Sequence, residues 1–196
     1  FSFDFGKAIT TGEGGMVLTN ESTIDKYSRE YHDHGHENNP NFPRGKDTRS
    51  IFGFNYRMTE MQAVVGKVQL GKLDYIIKSN NDRYNEFEKN FPKDLVKRKI
   101  PTQSKPLNDT FIFFVESSQK KEKYIEILNE EGFGTKNLPD AMEWHCSAFW
   151  DHALDEDQVQ RTMKTKKLLE KAIAVPIWLK RSPREYFELS KKLFCS

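Results

Sequence analysis

The chain has 196 residues and a formal net charge of +2, with 31 lysines and arginines against 29 aspartates and glutamates. That length fits one domain or two small ones with a real core, and the near balance of charge, with a sequence pI near 8.4 and no long basic run, argues against a dedicated nucleic-acid binder. No apolar run is long enough to insert into a membrane, and Cys146 and Cys195 lie too far apart to suggest a disulfide framework, so the expected compartment is a reducing cytoplasm.

Residues 1–5 alternate Phe1, Phe3 and Phe5 with Ser2 and Asp4, a strand-like period. Gly12, Gly14 and Gly15 then predict a turn into a second short strand, "MVLTN". The chain opens as if in mid-strand, without a methionine or a signal peptide, so it is expected to be part of a longer protein. Residues 22–33 read as a helix with Ile24, Tyr27 and Tyr31 on one face and Gly35 just beyond its end. Residues 36–54, with Pro40, Pro43, Gly45 and Gly53, form a loop long enough to be functional.

A capping box at Thr59 and Gln62 opens the next helix, which carries Met61, Val64, Val65, Val68 and Leu73 and resumes through Ile76, Tyr84 and Phe87. Gly66 and Gly71 lower its propensity and permit close approach of another backbone. The polar segment 93–109 marks a domain boundary at 95/96. Beyond it, "TFIFFVE" is a strand, 119–131 a helix closed by Gly132, and 155–170 a further helix. "AIAVPIWL" is a strand that Pro176 confines to a sheet edge, and Ser182, Pro183 and Glu185 start the last helix.

Several groups could carry chemistry. Lys7, between aromatic residues and a glycine turn, reads either as a solvated charge or as a covalent amine whose pKa is lowered by burial or cationic neighbours. Ser2, five residues earlier, is either an ordinary strand serine or a phosphate-binding hydroxyl. His32, His34 and His36 alternate, but the helix end at His32 would splay them, so substrate contact is favoured over a metal. Asn55 and Arg57 precede a helix start, where anions bind, although Arg57 equally suits a surface charge. "DAMEWHCSAFWDH" joins His145 to Cys146, yet adjacent residues rarely reach nucleophile–base geometry, and a packed aromatic loop is expected.

"SFDFGKAITTGEGGMVLTN" resembles the lysine signature of the DegT/DnrJ/EryC1/StrS sugar aminotransferases, and "GFNYRMTEMQAVVGKVQLGKLD" resembles their second block, in the same order and at similar separation. The resemblance is close over 1–91 and looser beyond. It implies an α/β protein of the fold type I pyridoxal-phosphate transferases. Residues 1–95 would be the C-terminal part of the large cofactor domain with a long connecting helix, and 96–196 the small α/β domain. It implies pyridoxal 5′-phosphate held by Lys7 as Schiff-base lysine, with Ser2 on its phosphate and Asn55 reaching the phosphate in the neighbouring subunit of a homodimer with shared sites. Arg57 would contact substrate, and His34 with Gly35 matches a His-Gly pair between the blocks more weakly. The implied reaction moves an amino group, from glutamate, to a keto- or aldehydo-sugar of bacterial surface polysaccharide or lipopolysaccharide. Lys7 favours this over the sugar dehydratases of the family, in which histidine replaces the lysine; a regulatory relative of the same fold and a non-catalytic fragment stand as the alternatives. The "NLPDAMEWHCSAFWDH" loop resembles members that aminate an eight-carbon keto-sugar acid to 8-amino-3,8-dideoxy-octulosonate. Since the family's pyridine-nitrogen aspartate and stacking aromatic ring precede the lysine block, this chain alone is expected not to bind the cofactor tightly.

Overall fold

The computed structural model describes residues 1–43 and 45–195. It divides into two compact units, Phe1–Leu73 and Asp74–Ser196. The first holds helices α1 (Ser22–His32) and α2 (Glu60–Leu70); α3 (Leu73–Glu88) begins at the division. The second continues with strands β1 (Val96–Lys97) and β2 (Thr110–Phe114), helices α4 (Ser118–Glu130), α5 (Met142–His145) and α6 (Glu156–Leu169), strand β3 (Ala172–Pro176) and helix α7 (Pro183–Phe194).

The second unit is organised by an antiparallel sheet in the order β1-β2-β3. Register is set by apolar pairing, with Phe111 opposite Val175 and Phe113 opposite Ile173. Phe111, Phe113, Ile173 and Val175 are fully buried, and Tyr84 and Phe87 from α3, Leu128 from α4, and Tyr186, Leu189 and Leu193 from α7 complete the core. Because α3 packs there through Tyr84 and Phe87, the division by contact falls at Leu73/Asp74, ahead of the 95/96 boundary expected from composition.

Pro176 lies on an edge strand, as its missing N–H requires. That edge is nonetheless covered: Lys136 N donates to Ala174 O, and Ala174 N to Leu138 O. The other edge strand, β1, lies inside the segment expected to be linker. α4 ends in a Schellman motif, with Gly132 at φ +70°, its N–H on Asn129 O and the Phe133 N–H on Leu128 O. The capping boxes of α2 and α7 form as the sequence requires, and Asp155 with Gln158 forms another on α6. The expected single helical run from Thr59 breaks at Gly71 and Lys72.

In the first unit the two strands expected around the glycine turn reduce to one bridge, Ser2 with Gly15. Backbone pairing joins Phe1 with Met16 and Phe3 with Gly14 and Thr11 and goes no further, because the chain turns at Asp4, whose carboxylate accepts from Gly6 N. Cys146 and Cys195 are free thiols, and no described helix is long and apolar enough to cross a membrane.

Candidate active site

The turn at the start of the chain is built around a carboxylate the sequence did not single out. Asp4 accepts from Gly6 N at 2.7 Å and from the Ser2 hydroxyl at 3.2 Å, and it pairs with Lys7 Nζ at 3.5 Å. The Gly6 N–H foremost, with the charge of Lys7 and the Ser2 hydroxyl, holds the Asp4 carboxyl below its ordinary range. Ser2 and Lys7, both expected at the cofactor, are thus neighbours through Asp4. The setting foreseen for Lys7, burial or cationic company, is not what surrounds it: its side chain is 51% exposed and its charged neighbour is an acid.

The glycine turn that follows is fastened to α2. Thr11 is buried, its hydroxyl donating to Glu13 O at 2.6 Å. Gln62 Nε2 donates to the same carbonyl at 2.9 Å. A Cβ on Gly14 would stand 2.7 Å from Thr11 Oγ1, and one on Gly66 3.0 Å from Thr11 Cγ2. Gly66 therefore admits Thr11, and the "TTGEGG" and "TEMQAVVG" segments are halves of one packed contact.

A second cluster forms where the end of α1 meets residues 51–57. A Cβ on Gly35, at φ +79°, would lie 2.1 Å from Ile51 O, and one on Gly53 would lie 2.5 Å from both Gly35 N and Tyr31 O. Only glycine at both positions lets the two backbones approach this closely. The approach brings Asp33 opposite Asn55 in an antiparallel bridge, with Phe54 N on Tyr31 O, His34 N on Phe54 O and Tyr56 N on His32 O. Arg57 Nη1 donates to Asp33 Oδ1, pairing a part-exposed guanidinium with a buried carboxylate. His34, at φ +58°, is exposed beside this bridge, and the Asn55 side chain has no hydrogen-bond partner among the described residues.

The three histidines do not meet as a set: the His34 and His36 rings stand edge to face, with centroids 6.3 Å apart, while His32 turns to the backbone of its own helix. His32 Nδ1 meets Arg29 O, and His36 Nδ1 lies 2.8 Å from Asp47 Oδ1. That contact, with Asn38 N, holds the Asp47 carboxyl below its usual range. Among the described residues no group of three His, Cys, Asp or Glu is placed to hold a metal. In the aromatic loop, Trp144 is exposed, Trp150 Nε1 donates to Trp144 O, and Cys146 is buried.

Of the expected site residues, Ser2 and Lys7 form one cluster, and His34, Asn55 and Arg57 another. Among the described residues no hydrogen bond or ion pair joins the two directly. Sequence reasoning missed Asp4, Thr11, Asp33 and Asp47. The available signal was carboxylate or hydroxyl residues close to glycines, in "DFGK", "TTGEGG", "DHGH" and "GKDT".

Comparison with known proteins agrees with both blocks. The profile of the DegT/DnrJ/EryC1/StrS aminotransferase family matches residues 1–192. GDP-perosamine synthase of Caulobacter vibrioides is 43% identical over 74 residues, 38% of this chain and 19% of that protein. The UDP-4-amino-4,6-dideoxy-N-acetyl-beta-L-altrosamine transaminase of Campylobacter jejuni serotype O:2 is 32% identical over 142 residues, 69% of this chain and 36% of that protein. Among solved structures, the sugar aminotransferase CalS13 of Micromonospora echinospora superposes with a TM-score of 0.74 at 14% identity, covering 100% of this chain and 51% of that one. Spr1654 of Streptococcus pneumoniae, in its PMP-form, gives 0.71 at 17%, covering 100% and 50%. The chain thus spans about half the length of the solved structures it matches.

Proposed function

Because the chain belongs to the DegT/DnrJ/EryC1/StrS aminotransferase family, we propose that it forms the lysine-bearing part of a pyridoxal-phosphate aminotransferase. This enzyme passes an amino group from an amino-acid donor, glutamate, to a keto- or aldehydo-sugar for bacterial surface polysaccharide. The supporting observation is the contact between the two blocks: Gln62 and Thr11 meet on Glu13 O, so the Lys7 turn is locked onto the helix that Asn55 and Arg57 lead into. Names of relatives such as GDP-perosamine synthase support a sugar acceptor. The eight-carbon keto-sugar acid is one acceptor of this class.

The residues present fit the cofactor by their chemistry. Lys7 offers an accessible primary amine, Ser2 a hydroxyl, Asn55 an amide that makes no hydrogen bond to a described residue and Arg57 a guanidinium, and the family's members use pyridoxal phosphate. When bound, the cofactor supplies the electron sink that makes a C–H bond next to nitrogen acidic. Lys7, released from Asp4, would hold the cofactor covalently; when free of it, its amine would remove the proton from the amine-bearing carbon of the donor and, in the separate half-reaction with the acceptor, deliver a proton to the carbon that is aminated. Ser2 donates its hydroxyl to the phosphate. Asn55 donates its amide to the phosphate of a neighbouring subunit, and Arg57 and His34 face the substrate. Membership of the family supports a homodimer with shared sites in a cytoplasmic enzyme. Residues 1–95 would then belong to the large domain and 96–196 to the small one.

Borohydride reduction of the cofactor-loaded protein should fix pyridoxal phosphate on the peptide containing Lys7. Lys7→Ala should abolish colour, labelling and transamination. Survival of colour and activity in that variant would end the proposal.

A further inference from the structure

We infer that Asp33 is a positioning residue that holds Arg57 as a fixed fork for an anionic group of the acceptor, a diphosphate or a sugar carboxylate; this rests on the aminotransferase reading of the site. Four observations carry it. The Asp33 side chain is 10% exposed, whereas that of Arg57 is 37% exposed, so an anchored acid faces an accessible cation. Asp33 is fixed through its backbone, its N–H on Glu30 O, its carbonyl accepting from His36 N, and its strand bridge to Asn55. The Gly35–Gly53 approach fixes the distance between the two segments, so the carboxylate is not at the end of a mobile loop. Arg57 uses Nη1 on Asp33 and makes no other hydrogen bond to a described residue, which leaves most of a five-donor guanidinium for a ligand.

Arginine suits this role because its planar fork matches a carboxylate or phosphate in two-point contact. Left alone, the side chain must give up rotamer freedom when it binds. Anchored through one nitrogen by a buried acid, it has already lost that freedom, and its remaining N–H groups keep one orientation. An exposed ion pair would do little for stability. A buried acid held by backbone contacts on both sides of a glycine contact, and paired with an accessible arginine, is better explained by the orientation it imposes. The rule is also specific: Asn at 33 keeps the shape but loses the charge, and Glu keeps the charge at a longer reach.

The test is a double-mutant cycle on the cofactor-loaded protein, read by calorimetric binding of inorganic pyrophosphate and, separately, of gluconate. The first probe stands for a nucleotide-sugar and the second for a keto-sugar acid. The wild type should bind one of the two. Arg57→Ala should weaken that binding about ten- to a hundred-fold, and Asp33→Asn about three- to thirty-fold. Asp33→Asn with Arg57→Ala should be no weaker than Arg57→Ala alone, and Asp33→Glu should recover part of the loss. Thermal melts of each variant show whether it is folded; if Asp33→Asn is not, Asp33→Glu and Asp33→Ser take its place in the cycle. A wild type that binds neither probe, additive losses, or a lowered melting temperature with unchanged anion binding would each overturn the inference. Borohydride labelling of Lys7 is scored independently, so failure of the Asp33 role and failure of the aminotransferase reading give different results.

Discussion

At the scale of single residues, glycine does the most to place the site. Gly35 and Gly45 share a left-handed backbone, at φ +79° and +84°, but a Cβ on Gly35 would strike Ile51 O at 2.1 Å, whereas one on Gly45 meets nothing within 4 Å. Gly45→Ala should therefore cost only backbone strain, about 1 kcal/mol. Gly35→Ala must also separate two backbones and should cost about 2–4 kcal/mol. Urea denaturation of the two variants makes the comparison, and equal losses would contradict the close approach. The same position explains what the sequence hid. Lys7, Asn55 and Arg57 stand in contiguous motifs and could be read directly. Asp33 could not, because its partner lies 24 residues away and meets it only through the two glycines.

At the scale of elements, caps were the most legible features, since a Ser or Thr and a Glu or Gln three residues later carry their own geometry. Glu185 accepts from Ser182 N at 2.6 Å and from Arg181 Nη1 at 3.0 Å, and these donors, the backbone N–H first, bring its carboxyl down to about 2. A depressed folded pKa means stabilisation that is whole above the unfolded value of 4.5 and disappears as pH falls through about 2. Glu185→Gln should flatten the acid limb of a melting-temperature profile between those values. Tyr186, one residue on, is fully buried and ties α7 to the end of β3. Its hydroxyl donates to Pro176 O at 3.1 Å and accepts from Trp178 N at 2.7 Å, and burial pushes its pKa up to about 12. Tyr186→Phe strands both groups and should cost about 1–3 kcal/mol in denaturant unfolding. β1 was not legible, because two exposed residues have no period to read and exist as a strand only through Phe113 and Phe114 opposite them.

At the scale of the whole molecule, the two units differ in what they bury. Every buried hydrophobic side chain among the described residues lies at or beyond Ile76, while the buried side chains of the first unit are Thr11, Glu30 and Asp33. Met61, Val64, Val65 and Val68 of α2 are all exposed. Residues 74–196, expressed alone, should unfold in one cooperative denaturant transition, and residues 1–73 alone should show none. A cooperative melt of the shorter piece would contradict this. Periodicity foresaw the sheet-and-helix core of 74–196 because apolar residues there obey one local rule. The first unit was legible only as motifs: its side chains serve turns, pairs and close approaches, and the strand period of Phe1–Phe5 promised a sheet that the turn at Asp4 cuts short.

The glycine contact also makes the intervening segment replaceable. Residues 36–52 leave at Gly35 and return at Gly53, two points that touch, and the loop is tied within itself by His36 to Asp47 and Glu37 to Thr48. Loops closed at the neck can lengthen at small entropic cost. The segment is a cassette: its length and sequence can change while the Gly35–Gly53 contact keeps the register of Asn55 and Arg57.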